Sequence, residues 1–209
     1  MSTSAASFAR KVWAIVVKDV TAELRTWEMV SAMLVFSLLA VLVFSFALDL
    51  QGGLARAAAP GVLWATLAFA GNLGLGRSLA REQHSGCIDG LLLAPVDHSA
   101  IFFGKAIGNL LAIGVVGIVL LPVLTVLLDA PLIRPQIILV MLLGAIGYAA
   151  AGTLLATMAI NTRAREVMLP VLLLPLAMPA LIAAVQATAW LIEGGALTEV
   201  RNWIGLLVA

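Results

Sequence analysis

Residues 28–49 read EMVSAMLVFSLLAVLVFSFALD, with 20 consecutive uncharged residues between Glu28 and Asp49. As a helix rising about 1.5 Å per residue, that run covers roughly the 30 Å hydrocarbon layer of a bilayer. Outward from it the pattern repeats, with 20 uncharged residues between Arg56 and Arg77, 23 between Lys105 and Asp129, 28 between Arg134 and Arg163, and 26 between Glu166 and Glu193. Of the 209 residues, 63% are hydrophobic and 11% charged, where a soluble domain carries roughly 25% charged. Lipid offers backbone groups no water to bond, so each run is driven into a helix. The alternating polarity of a membrane β-barrel is missing. The fold class is an all-α integral membrane protein of six transmembrane helices. It forms one transmembrane domain over 1–209, with full spans at 29–48, 58–76, 104–128, 136–160 and 167–192. After Arg201 the tail NWIGLLVA (202–209) starts a sixth span and stops, so that span is read as truncated.

Charge sets the orientation. With a cytoplasmic N-terminus, Arg10, Lys11, Lys18, Arg25, Arg77, Arg81, Lys105, Arg163 and Arg165 lie inside, nine of the twelve basic residues. Arg56, Arg134 and Arg201 lie outside, as the positive-inside rule asks. VWAIVV (12–17) is too short for the core of a signal peptide, so the N-terminus is expected to stay. A single cysteine excludes an intrachain disulfide. MSTSAAS (1–7) is expected to fray. From Phe8, the residues Val12, Val16, Val20, Leu24 and Trp27 recur at helical spacing among basic partners, which predicts an interfacial amphipathic helix over 8–27 along the cytoplasmic leaflet. The outer connections DLQGGLAR (49–56), DAPLIRP (129–135) and EGGALTEVR (193–201) are short. Pro60 is expected near a helix start, where its missing N–H costs nothing.

Within the spans, Gly104, Gly108 and Ala112 share a face, as do Gly144, Tyr148, Gly152 and Ala156, and such faces permit close helix packing. Pro170, Pro175 and Pro179 predict a kinked or broken fifth span. Such a kink can be purely structural or can line a cavity, and both readings stay open. No charged residue lies inside the five uncharged runs, whereas ion-driven carriers place ionisable groups at mid-membrane. Energy for transport must then come from a partner ATPase. GNLGLGRS (71–78) imitates the spacing of a phosphate loop with Arg77 for the lysine. It ends a membrane helix, where the amides are already bonded, rather than joining a strand to a helix. No serine within a span has a candidate base nearby, so the chain is not read as an enzyme.

REQHSGCIDGLLLAPVDHSAIFFGK (81–105) gathers both histidines, the cysteine and three acidic residues. A metal site would use His84, Cys87 and His98 with Glu82 or Asp89, but the paired Cys-x-x-Cys halves of a closed zinc site are absent. Haem needs only one or two axial ligands, so His84 or His98 keeps a membrane haem-binding or redox protein as a rival reading. Polar residues also collect in loops when spans exclude them. The pattern favours something else: Leu79, Ile88, Leu91 and Leu92 give an apolar side, Glu82 and Asp89 are acidic, Gly86 and Gly90 break the helix, and Pro95 ends it. This predicts a short amphipathic helix on the cytoplasmic face, suited to docking in a groove on an ATPase. His84 and Cys87 are then bystanders.

The segments APGVLW (59–64), SGCIDGLLLAP (85–95) followed by Lys105, and LLLPLAMPALI (172–182) resemble those of the CcmB family. That family is haem exporter protein B, the permease subunit of the cytochrome c maturation ABC transporter. The likeness runs over nearly the whole chain. It implies an ABC-2 type permease in the bacterial inner (cytoplasmic) membrane, with an interfacial helix before the first span and a coupling helix after the second. It implies a homodimer of permease copies working with two CcmA-like ATPase subunits and with CcmC-, CcmD- and CcmE-like proteins, in contact with lipid and not with nucleic acid. No cofactor is implied on this subunit; ATP and Mg²⁺ belong to the ATPase, and haem is a candidate substrate. ATP hydrolysis would drive haem export or release of the haem-loaded chaperone. By position, Glu82, Gly86, Asp89, Gly90 and Leu91 would form the ATPase-coupling element, and Pro175 and Pro179, with Pro170 before them, the proline-rich fifth span. The resemblance implies no catalytic or metal residue. Two departures stand out: His84 replaces the acid that family members often carry before the loop glycine, and Asn109 and Leu110 replace a His-Trp pair after the lysine. A rival of the same architecture would export another substrate, such as a lipid or drug.

Overall fold

The computed structural model describes residues 2–48, 54–84, 97–159 and 165–195 together with positions 203 and 205; side chains are described except at 2–7, 79–84, 159 and 165–167. The described residues form six helices, α1 (Ser2–Thr26), α2 (Glu28–Leu48), α3 (Leu54–His84), α4 (His98–Leu127), α5 (Pro135–Ala159) and α6 (Arg165–Ile192). Five of them are long and apolar enough to cross a membrane. The start of a sixth span after Arg201 lies outside the described residues apart from Trp203 and Gly205, which are helical.

Helix ends differ from the limits that charge suggested. Residues 2–7, expected to fray, continue α1. Helix α3 starts at Leu54, which puts Pro60 inside it rather than in its first turn. It also continues past Arg77 and Arg81 to His84, so the start of the expected separate coupling helix is the end of a spanning helix. Helix α4 begins at His98, which places Lys105 two turns inside it. The common reason is that charges mark where a helix leaves lipid, not where it ends. A helix whose backbone is already bonded can run on into water at little cost.

Helix α3 is the centre of the bundle and packs against α2, α4, α5 and α6. Of its span, 67% is buried inside the protein, against 22% for α2. It is also the least hydrophobic of the five spans. Helices that face lipid must be apolar all round, and a helix enclosed by protein need not be.

Lipid tails are as apolar as leucine, so association inside the bilayer rests on close packing. Large side chains here sit on glycines of the neighbouring helix. The Trp64 ring of α3 rests on Gly144 of α5, and Leu75 of α3 on Gly152 of the same helix. Tyr148 of α5 rests on Gly71 of α3, Met33 of α2 on Gly74, and Met141 of α5 on Gly117 of α4. Two of these seats are pinned by hydrogen bonds. Trp64 Nε1 donates to Thr188 Oγ1 of α6 at 3.0 Å, and Tyr148 Oη donates to the Ala68 carbonyl at 2.6 Å. The small-residue face at 144–156 is thus a packing face.

At the end of the bundle away from α1, Pro135 opens α5, and Arg134 donates from Nη1 to the Leu191 carbonyl at 2.6 Å, tying the α4–α5 turn to the end of α6. Helix α6 runs unbroken from Arg165 to Ile192 through all three prolines, of which Pro175 and Pro179 are exposed and Pro170 half-buried.

A Cβ added at Gly144 collides with the Trp64 ring, while at Gly114 it meets nothing within 4 Å. Gly144→Ala should destabilise the detergent-solubilised chain by about 1–3 kcal/mol, the usual cost of overpacking. Gly114→Ala should be neutral or stabilising by up to about 1 kcal/mol, through helix propensity alone. Thermal unfolding of both variants beside the parent checks the pair.

Candidate functional site

The N-terminal helix is locked to the first turns of α4. Ile15 and Val16 are buried, and Ile15 packs on Gly104, where an added Cβ would come within 2.7 Å of it. Phe8 meets Phe103 edge-on with ring centroids 6.2 Å apart. Lys11 Nζ lies 3.7 Å from Asp97 Oδ2 just ahead of α4. At the centre of the seam, Lys105 Nζ donates to Asp19 Oδ2 at 2.8 Å. The Lys105 side chain is 9% exposed and that of Asp19 23%. Lysine is almost never buried this deeply unless paired, and Gly104 and Gly108 on either side leave the room that lets α1 come close. Lys18 Nζ, 3.0 Å from Asp19 Oδ1, adds a second cation at the wetter edge.

Four residues on, Glu23 Oε1 accepts hydrogen bonds from the backbone N–H groups of Met29 at 2.9 Å and Val30 at 2.8 Å. These are orphan donors of the first turn of α2, where a carboxylate also meets the positive end of the helix dipole. Between the two helices Trp27 holds φ 53, left-handed backbone that a non-glycine residue adopts at a cost of about 1 kcal/mol or more. Helices α1, α2 and α4 are therefore fastened by ion pairs and apolar contacts between α1 and α4, and by a cap and a strained joint between α1 and α2.

Behind this seam, Met29, Met33, Gly71, Gly74, Asn109 and Ile113 line a narrow crevice between α2, α3 and α4. Asn109 is buried, and its Nδ2 donates to Thr153 Oγ1 of α5 at 3.0 Å. Thr66 Oγ1 and Asn72 Oδ1 on the central helix are buried without a hydrogen-bond partner. Among the described residues no group of three or more His, Cys, Asp or Glu side chains comes together.

The residues singled out by sequence are unevenly placed. Glu82 falls in the last turns of α3 and its side chain is not described; His84 is the final helical residue. Gly86, Cys87, Asp89, Gly90 and Leu91 lie outside the described residues. His98 is the exposed first residue of α4. Sequence reasoning passed over Asp19, Glu23 and the use made of Lys105. The signal was there in part: a lysine next to a glycine face inside an apolar segment needs an acid, and the only acids of the amphipathic helix are Asp19 and Glu23.

Because Lys105 and Asp19 touch, their losses should not add. In a double-mutant cycle of Asp19→Ala, Lys105→Met and the pair, unfolding in detergent should give a coupling energy of roughly 1–3 kcal/mol, with the double variant costing less than the sum of the singles.

Comparison with known proteins bears on the whole chain. A relative from Rhodobacter capsulatus named heme exporter protein B is 29% identical over 167 residues, 78% of this chain and 76% of the relative. Proteins of the same name from Paracoccus denitrificans and Bradyrhizobium diazoefficiens are each 27% identical, covering 83% and 87% of this chain and 80% and 82% of their own lengths. The family model described as CcmB protein matches residues 10–209, from the locked N-terminal helix to the last residue, so the chain belongs to the CcmB family.

Proposed function

We propose that this chain is the membrane-spanning subunit of an ABC transporter acting in cytochrome c maturation, with haem or a haem-loaded chaperone as its cargo. The observation that carries this reading is the family match over residues 10–209. The relatives' name, heme exporter protein B, supplies the cargo. The five apolar helices place the chain in a membrane, and the positive-inside count supports an inner-membrane orientation with a cytoplasmic N-terminus.

In this reading ATP and Mg²⁺ are held by a CcmA-like ATPase, and the permease, as a pair of copies with CcmC-, CcmD- and CcmE-like proteins, does no hydrolysis itself. Glu82, Gly86, Asp89, Gly90 and Leu91 form the element that docks on the ATPase, by the helix-in-groove mode. That element joins the end of α3 to the start of α4. Closure of the ATPase would press on the helix at the centre of the bundle and on the helix that Asp19 grips. Pro170, Pro175 and Pro179 supply bending points in α6, where the missing backbone bonds lower the cost of a change in curvature.

The test is co-purification of the intact chain with its ATPase, together with ATP-dependent cytochrome c maturation in cells. Asp89→Lys with Gly90→Leu should leave membrane insertion intact, release the ATPase and lower maturation at least about tenfold, the loss of roughly 1.4 kcal/mol or more of docking energy. Full ATPase recovery and full maturation in that variant would overturn the coupling role. Failure of the parent chain to recover any ATPase would overturn the transporter reading itself.

A further inference from the structure

We infer that the outward face of α1 is a binding surface for anionic phospholipid headgroups, so that this helix senses the charge of the leaflet it lies on. At helical spacing, the residues of α1 fall into three sectors. One sector, with Phe8, Ile15, Asp19 and Glu23, is turned to the rest of the protein and makes the contacts with α4 and α2. The second carries Trp13, Val17 and Leu24, which are 67%, 44% and 59% exposed, with exposed Trp27 at the joint beyond it. The third, adjoining the second, carries Arg10, Lys18 and Arg25, all exposed, with Lys18 at its inner edge also 3.0 Å from Asp19 Oδ1.

The charge is segregated in a way that the packing alone does not require. Both acids of the helix are turned inward, Asp19 to Lys105 and Glu23 to the first amides of α2. The outer sectors hold only apolar and basic side chains among their large residues. An apolar stripe bordered by bases on a helix lying beside spanning segments matches an acyl boundary below and phosphate groups above. Tryptophan belongs at that depth. Each basic residue near an anionic surface adds attraction that salt screens. The lock on α4 fixes the helix in rotation, so the basic sector cannot turn away from the headgroups. Charge complementarity therefore selects anionic lipid over a zwitterionic one as the occupant.

The test uses the full chain in phosphatidylcholine vesicles that contain an equal mole fraction of either brominated phosphatidylglycerol or brominated phosphatidylcholine. The emission of Trp13 is isolated by subtracting the signal of Trp13→Phe. Brominated phosphatidylglycerol should quench that component severalfold more than brominated phosphatidylcholine, and the preference should vanish at high salt. Glycerol phosphate in solution should not compete, which separates a lipid headgroup from a free phosphate site. Arg10→Gln, Lys18→Gln and Arg25→Gln together should bring the quenching ratio to one. Should that variant not insert, the ratio in the parent chain and its salt dependence still decide. Equal quenching by the two lipids in the parent chain would overturn the inference. So would no quenching by either, with Trp13 shielded only when the ATPase is added, since the face would then be a protein interface.

Discussion

Everything in this protein hangs on the close approach of its neighbours to α3. Inside a bilayer no hydrophobic force drives apolar helices together, so contact area and the few available hydrogen bonds must hold the bundle. The chain meets that demand by seating Trp64, Leu75, Tyr148, Met33 and Met141 on glycines of the facing helix. Each seat brings two backbones close and multiplies small dispersion gains that a looser fit would forfeit. Trp64 and Tyr148 add a hydrogen bond each, to α6 and to α3. The central helix is thereby tied to α5 by packing and a hydrogen bond and to α6 by a second hydrogen bond.

The second constraint is the buried ion pair. Taking an ammonium and a carboxylate out of water is expensive, and such pairs are weak evidence for stability by themselves. Their value here is positional. With Lys105 inside the protein, α1 can satisfy it only in the register that brings Asp19 opposite, and that register drops Ile15 onto Gly104 and brings Glu23 to the start of α2. One charge pair thus fixes rotation and height for the whole N-terminal helix. The unfavourable backbone at Trp27 persists because the contacts on both sides determine it.

The spans and their packing faces could be read from the sequence, because exclusion of charge and the spacing of small residues are local patterns with a direct physical cause. The glycines at 144 and 152 were visible as a face, though not the side chains that occupy it. Helix ends were read less well, since Arg77 and His98 mark water rather than the end of hydrogen bonding. Asp19 was missed for a different reason. It looked like one more polar residue of an amphipathic helix, and its partner lies 86 positions away. Partner choice of that kind is tertiary, and a single sequence carries no record of it. The relative polarity of α3, visible in its hydropathy, was the unused clue that it lies at the centre.

The enclosure of α3 also means that a displacement of its end would be passed to its neighbours. A lipid-facing helix can slide against the bilayer without disturbing its neighbours, whereas α3 cannot move without unseating Trp64, Leu75 or the residues resting on Gly71 and Gly74. Close-packed interiors respond to such a displacement by switching between discrete arrangements rather than by deforming smoothly. A push delivered at the end of α3 would therefore act on the element that, among the described residues, touches all four other spanning helices.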